Sequence, residues 1–316
     1  MNDKIKIGVS SCLLGEAVRY DGGHKQDRFI TDVLAGWVQF VSVCPEQECG
    51  LGVPRESMHL EGDPARPRLL TTRTRQDLTE RMQAWCDARV RALEVEALCG
   101  FIFKANSPSS GMERVKVFND KGIARKVGSG LFARSFMEHF PWIPVEEEGR
   151  LHDHKLRENF IEQIFAFQRW RDLQAQGLTR GRLVAFHSVH KLLLMAHSPT
   201  HYRELGRLVA GAKSLAPTEL ARRYQEGFLQ ALRCKSTIKK HVNVLQHMMG
   251  YFKKQLSADE KQELLEVIAA YQREQVPLVV PLTLLKHHVR VHGEAYLSQQ
   301  VYLDPHPAEL MLRNHV

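Results

Sequence analysis

The sequence predicts an α/β domain with a mainly parallel sheet, followed by an all-α domain. Two observations carry this: strand-forming runs alternate with a long helical stretch in the first half, and helix starts recur almost without strand signal in the second. A third observation separates the halves by charge. Residues 1–150 carry 21 Lys+Arg against 21 Asp+Glu, whereas residues 151–316 carry 23 against 15 and hold 13 of the 16 histidines. The whole net charge of +8 therefore lies in the second half, which suggests a polyanionic partner for that half; a solvated basic face is the alternative.

In chain order, Ile5–Ser10 (IKIGVS), Val38–Val43 (VQFVSV), Phe101–Lys104 with its lead-in Cys99-Gly100, and Val115–Phe118 (VKVF) read as strands. The first three run into small or Pro-containing turns: SSCLLG, CPEQECGLGVP and ANSPSSG. Between the second and third, roughly Arg75–Ala97 reads as a helix with Leu78, Met82, Trp85, Val90 and Leu93 on its apolar stripe. In a parallel α/β sheet, ligands bind beyond the carboxyl ends of the strands, and the unusual residues fall there. The second half, 151–316, reads as about six helices. Asn159–Ala175 carries Phe160, Ile164, Phe167 and Trp170; Thr179 caps the next helix; Ser198-Pro199 and Ser257 with Glu260 are further helix starts.

The length of 316 residues suits two domains, and 43% hydrophobic with 25% charged residues excludes disorder as the main story. No window approaches eighteen uninterrupted apolar residues, so no membrane span is expected, and the N-terminus lacks the apolar core of a secretory signal. A cytoplasmic protein is expected, whose six cysteines are thiols, metal ligands or catalytic groups rather than a disulfide framework.

Cys12, Cys44 and Cys49 all follow predicted strands, at turns that should meet at one sheet edge. No CxxC pair exists, so a zinc ribbon is not supported. Three converging thiolates suit a zinc with an open position or three irons of a cubane; small buried core residues are the plain alternative. Cys86, within the helix, Cys99, at the opposite sheet edge, and Cys234, at a helix end, read as structural. Arg19, Asp21 and Lys104 are candidate substrate contacts, although Asp21 suits a loop brace equally well. In the second half, His187, His190 and His197 read as helix packing or polar surface rather than a metal site. Arg180, Arg203, Lys239, Lys240, Lys253 and Lys254 belong to a basic set suited to a phosphate backbone.

The segments Ser11-Cys12-Leu13-Leu14-Gly15, Val18-Arg19-Tyr20-Asp21-Gly22-Gly23, Val43-Cys44-Pro45-Glu46 and Ser107-Pro108-Ser109-Ser110-Gly111 resemble the signature of the thiouracil desulfidase domain. The second half resembles the helical domain fused to it in bacteria, through Leu194-Met195-Ala196-His197-Ser198, Tyr202-Arg203-Glu204-Leu205-Gly206 and Asn243–Phe252. Two-domain proteins of this kind are similar to tRNA 4-thiouridine desulfidases. The resemblance implies a 4Fe–4S cluster held by three cysteines, two of which are Cys12 and Cys44. It implies Glu46 as the base that activates water and Ser109 as the proton donor to the ring nitrogen. Where the family motif has its third cysteine this chain has Ser110, which is left as a candidate substrate contact. Cys49, in the same strand-end loop as Cys44, is the expected replacement, because an extended strand of roughly 30 Å separates Cys99 from Ser109. tRNA is the expected partner. The alternatives are a desulfidase of free thiouracil or thionucleoside, and a nucleic-acid-binding protein with a structural or sensing metal.

Overall fold

The computed structural model describes residues 4–315 and divides into two compact units, Met1–Asp153 and His154–Val316. The first unit is α/β. In chain order its elements are β1 (Ile5–Ser10), β2 (Val38–Val43), a one-turn helix α1 (Pro45–Glu48), β3 (Met58–Glu61), β4 (Arg68–Thr71) and α2 (Thr79–Ala92). β5 (Gly100–Phe103), β6 (Val115–Phe118), β7 (Ala124–Gly128), α3 (Leu131–His139) and β8 (Val145–Glu147) complete it.

One sheet has the order β2-β1-β5-β8 with every pairing parallel. Its register runs from Ile5 opposite Val38 to Ser10 opposite Val43, so β1 and β2 end level and release their loops at the same edge. That levelness puts Cys12 and Cys44 on one side of the sheet. The core beneath is aromatic: Phe101, Phe103, Phe132 and Phe136 are fully buried, with Phe101 stacked on Phe103 at 4.3 Å between ring centroids. Gly8 of β1 makes room for it, since a Cβ there would lie 2.2 Å from the Phe101 ring.

A second, mixed sheet has the order β4-β3-β6-β7, of which the sequence signals only β6. Its strands are four or five residues long, and four of the five positions of β7 are exposed, so no apolar run marks them. The helix expected over Arg75–Ala97 is shorter. Arg75 takes the left-handed backbone conformation at φ 59°, Asp77 bridges back to Leu70, and the helix begins at Thr79.

The second unit is all-α. It contains α4 (His154–Ala175), α5 (Arg180–His197), α6 (Pro199–Ala210), α7 (Pro217–Arg233), α8 (Ile238–Met249), α9 (Ala258–Gln272), α10 (Val279–Val291) and the short α11 (Ala295–Ser298). Among the described residues these are seven helices of twelve or more residues and the short α11, against about six expected. Thr179 and Ser198 accept hydrogen bonds from backbone N–H groups of the following helices, and Ser257 with Glu260 forms a reciprocal capping box. His187, His190 and His197 are buried, with His190 stacked on Phe186 at 3.9 Å. Beside them Arg313 donates to Glu162 at 2.6 Å and to Glu158 at 3.1 Å, and His197 Nε2 lies 2.9 Å from Glu162. No helix among the described residues is long and apolar enough to cross a membrane.

Candidate active site

Beyond the carboxyl edge of the parallel sheet lies a cavity of about 410 Å³. Loops following β1, β2 and β5 line it, together with Arg55, Ser57 and Met58. Its volume falls in the ordinary range for small-molecule sites. Cys12 stands in a tight turn after β1, closed by Gly15 at φ 93°, and Lys25 N–H donates to the Cys12 carbonyl at 2.9 Å. Cys44 precedes α1 in an extended conformation, with Pro45 at the first helical position. Glu48 reaches back to accept from Cys44 N–H at 2.9 Å, and Arg89 holds Glu48 at 2.9 Å. Both thiols line the cavity. Burial pushes the Cys12 thiol up to about 11, with Lys104 acting against it. Burial also pushes Cys44 up to about 12, and the Glu46 carboxylate adds to the rise.

Glu46 lines the same cavity and is held firmly at one oxygen. Ser109 Oγ donates to its Oε1 at 2.5 Å. Cys44 Sγ lies 3.6 Å from Oε2, and the Arg55 guanidinium lies 3.8 Å from that same oxygen. Ser107 Oγ lies 2.9 Å from Ser109 Oγ, and it also accepts N–H bonds from Ser109 and Ser110. The N-terminus of α3 anchors the serine loop: Phe132 N–H and Ala133 N–H donate to the Ser109 carbonyl at 2.9 and 3.1 Å. Gly130 admits this contact, since a Cβ there would lie 2.4 Å from the Ser109 carbonyl carbon.

Two of the expected site residues lie outside the cavity lining. Ser109 is fully buried and is not among the cavity-lining residues, and its hydroxyl orients the Glu46 carboxylate. Cys49 is also not among them. It follows the last residue of α1, five residues after Cys44. Its Sγ sits 3.4 Å from the Glu46 carbonyl, and Arg81 pins the turn by donating to the carbonyls of Cys49 and Gly50 at 2.8 Å each. Burial raises the Cys49 thiol too, with Arg81 opposing. Ser110 does line the cavity, 3% exposed, with Ser109 Oγ 3.5 Å away.

Arg19 and Lys104 both line the cavity. Lys104 is ion-paired with Glu148 and donates to the Ala105 carbonyl at 3.0 Å, so it ties the end of β5 to the end of β8. Asp21 is outside the lining and accepts from Gly23 N–H at 3.1 Å, a turn brace. That backbone bond holds its carboxyl below the usual range. Sequence reasoning missed Arg55, whose side chain is 9% exposed and whose Nε is buried without a hydrogen-bond partner at the cavity wall. Its signal is slight, an arginine three residues after Gly52 in a loop rich in Gly and Pro.

In the helical unit, three members of the basic set serve local structure. Arg180 donates to the carbonyls of Ala212 and Leu215, Arg203 to that of Pro199, and Lys240 to those of His197 and Lys235. Lys239, Lys253 and Lys254 are exposed.

Residues 7–148 match the model of the 2-thiouracil desulfurase family, and residues 191–307 match that of a protein family of unknown function, DUF1722. The chain is 35% identical over 153 residues to the YbgA protein of Escherichia coli K12, spanning 48% of this chain and 90% of that protein. It is 33% identical over 134 residues to the YbbK protein of Bacillus subtilis 168, spanning 40% of this chain and 86% of that one. A solved [4Fe-4S]-dependent thiouracil desulfidase, TudS, is 27% identical, with a TM-score of 0.39, covering 48% of this chain and 95% of its own.

Proposed function

Since its first unit belongs to the 2-thiouracil desulfurase family and its second to the DUF1722 family, we propose that this chain replaces the sulfur of a thiolated uracil ring by oxygen from water. The observation that carries this reading is the convergence of two buried thiols and an oriented carboxylate on one cavity: Cys12, Cys44 and Glu46.

The donor chemistry of that cavity fits a 4Fe–4S cluster. Two soft sulfur ligands from adjacent strand ends suit iron, and Cys12 and Cys44 would hold it. A cluster with one iron position left open supplies Lewis acidity toward the thiocarbonyl sulfur. The remaining work belongs to the chain. Glu46 Oε1 is occupied by the Ser109 hydroxyl, which leaves Oε2 to take the proton of an attacking water. The Arg55 guanidinium lies 3.8 Å from Oε2, at the edge where that water would sit. A C–O bond forms at the ring carbon, the C–S bond breaks, and sulfur leaves as hydrosulfide. Carbon and sulfur keep their oxidation levels, so no electron donor or acceptor is required.

A thiouridine carried on tRNA is the favoured form of the substrate. The +8 charge of the second half and the exposed Lys239, Lys253 and Lys254 suit a polyphosphate chain. Free thiouracil or thionucleoside is the second reading, which the small cavity also accommodates.

The test incubates anaerobically iron-loaded full-length protein with 4-thiouridine-containing tRNA and with free 4-thiouridine and 2-thiouracil, and measures hydrosulfide. Faster release from tRNA that falls as salt rises supports the tRNA reading. Equal rates on the free compounds at all salt concentrations sink it, and no release from any of them sinks the desulfidase proposal.

A further inference from the structure

We infer that the third protein ligand of the cluster is the hydroxyl oxygen of Ser110, which gives a site of two thiolates and one alkoxide. This rests on the cluster reading above. The loops after β1, β2 and β5 deliver Cys12, Cys44 and Ser110 to the wall of the same cavity. A three-ligand cubane site needs one donor from each of three directions, and the β5 loop brings no sulfur to the lining. Ser110 is 3% exposed, and its Oγ sits 3.5 Å from the Ser109 hydroxyl, a separation beyond that of a good O–H···O bond. Its backbone is fixed, because Ser110 N–H donates to Ser107 Oγ at 3.1 Å and the loop is packed under Gly130.

The Cys49 thiol is not among the lining residues. It is turned to the Glu46 carbonyl, to which it donates at 3.4 Å, and its backbone is held by the bond from Arg81 to the Cys49 carbonyl.

Oxygen is a harder donor than sulfur, so the iron at Ser110 is bound less tightly than the two at cysteine. The test reconstitutes the full chain and the variants Ser110→Cys, Ser110→Ala and Cys49→Ala with iron and sulfide. It then measures iron per chain, the rate of iron loss to a chelator, and the Mössbauer spectrum. The expected result is a wild-type cluster in which one iron carries an oxygen-ligated signature. Ser110→Cys should convert that signature to sulfur ligation and slow iron loss about 10-fold. Cys49→Ala should match wild type, and Ser110→Ala should lose iron. If Cys49→Ala loses the cluster while both Ser110 variants keep it unchanged, the inference is overturned and the cluster reading stands. Iron uptake by Ser110→Cys alone also overturns it, because the hydroxyl is then no ligand. Absence of iron from every form overturns the cluster reading and this inference with it.

Discussion

Gly130 is the position at which a single methyl group should test how the site is built. It precedes α3 at φ −63° and ψ 150°, values an alanine adopts without strain, so the backbone alone does not require glycine. Space does. A Cβ would stand 2.4 Å from the Ser109 carbonyl carbon and oxygen and 2.7 Å from Ser110 N. Contacts of that kind ordinarily begin at 3.4 Å, so Gly130→Ala must move the serine loop by about 1 Å, a misplacement that costs about 100-fold in rate. The moved atoms carry the Ser109 hydroxyl away from Glu46, where the bond is 2.5 Å long. Overpacking should also cost about 1–3 kcal/mol of stability in the first unit. The assay follows loss of the thiocarbonyl absorbance of a thiouracil substrate under saturating conditions, with circular dichroism to confirm folding. Gly149→Ala is the control, because it has an αR backbone and nothing within 4 Å of its Cβ position. A folded Gly130→Ala protein that turns over at the wild-type rate would refute the claim that the α3 junction positions the base.

Glu46→Gln should retain the fold and iron content but lose about 10²–10⁴-fold in turnover, because an amide cannot accept water's proton; steady-state kinetics would decide. Phe132→Ala, in the fully buried aromatic cluster beneath the sheet, should cost about 3–5 kcal/mol in urea unfolding, and a loss under 1 kcal/mol would contradict the packing described. His190 is buried neutral between Phe186 and the Arg169 guanidinium, with His187 one turn earlier, and burial lowers it to about 3. The unfolded chain therefore binds a proton near pH 6.5 that the folded chain refuses, so stability should fall as pH drops from 6.5 toward 3. By linkage the loss is about 2 kcal/mol at pH 5, and His190→Phe should flatten that slope in urea unfolding followed at pH 7 and pH 5. Charge reversal at Lys239, Lys253 and Lys254 together should weaken tRNA binding and reduce its salt dependence while sparing turnover of free thionucleoside; unchanged binding would remove the polyanion reading of the helical unit.

Three of the four parallel strands were legible, because β1 and β2 are six-residue runs rich in Ile and Val and β5 is apolar throughout, whereas the three-residue β8 carries too short a pattern to show. The helix caps Thr179, Ser198 and Ser257 were legible because each acts on residues within the next turn. The second sheet was not. β7 is bound by its backbone partners in β6, and its Ala124-Arg125-Lys126-Val127 side chains face solvent, so its pattern resembles a polar loop. The place of Cys49 was less legible for a related reason. It was expected at the site from its nearness in sequence to Cys44, and the cavity lining holds Cys44 and not Cys49. Ser109 was legible as a partner of the chemistry but not as a group behind Glu46, because only the packing of α3 on its loop sets that depth. Arg55 carries no local pattern at all and becomes visible only when its loop closes over the cavity.

The central claim is hydrolytic removal of sulfur at the cavity holding Cys12, Cys44 and Glu46. Its most direct measurement is a single anaerobic turnover of iron-loaded protein with a thiolated uracil substrate in ¹⁸O-labelled water, with the product weighed by mass spectrometry and hydrosulfide titrated. The account predicts one labelled oxygen in each uracil formed, one hydrosulfide released per uracil, and no need for an added oxidant or reductant. Uracil without the label, sulfur recovered in an oxidised form, or turnover that depends on a reductant would contradict it.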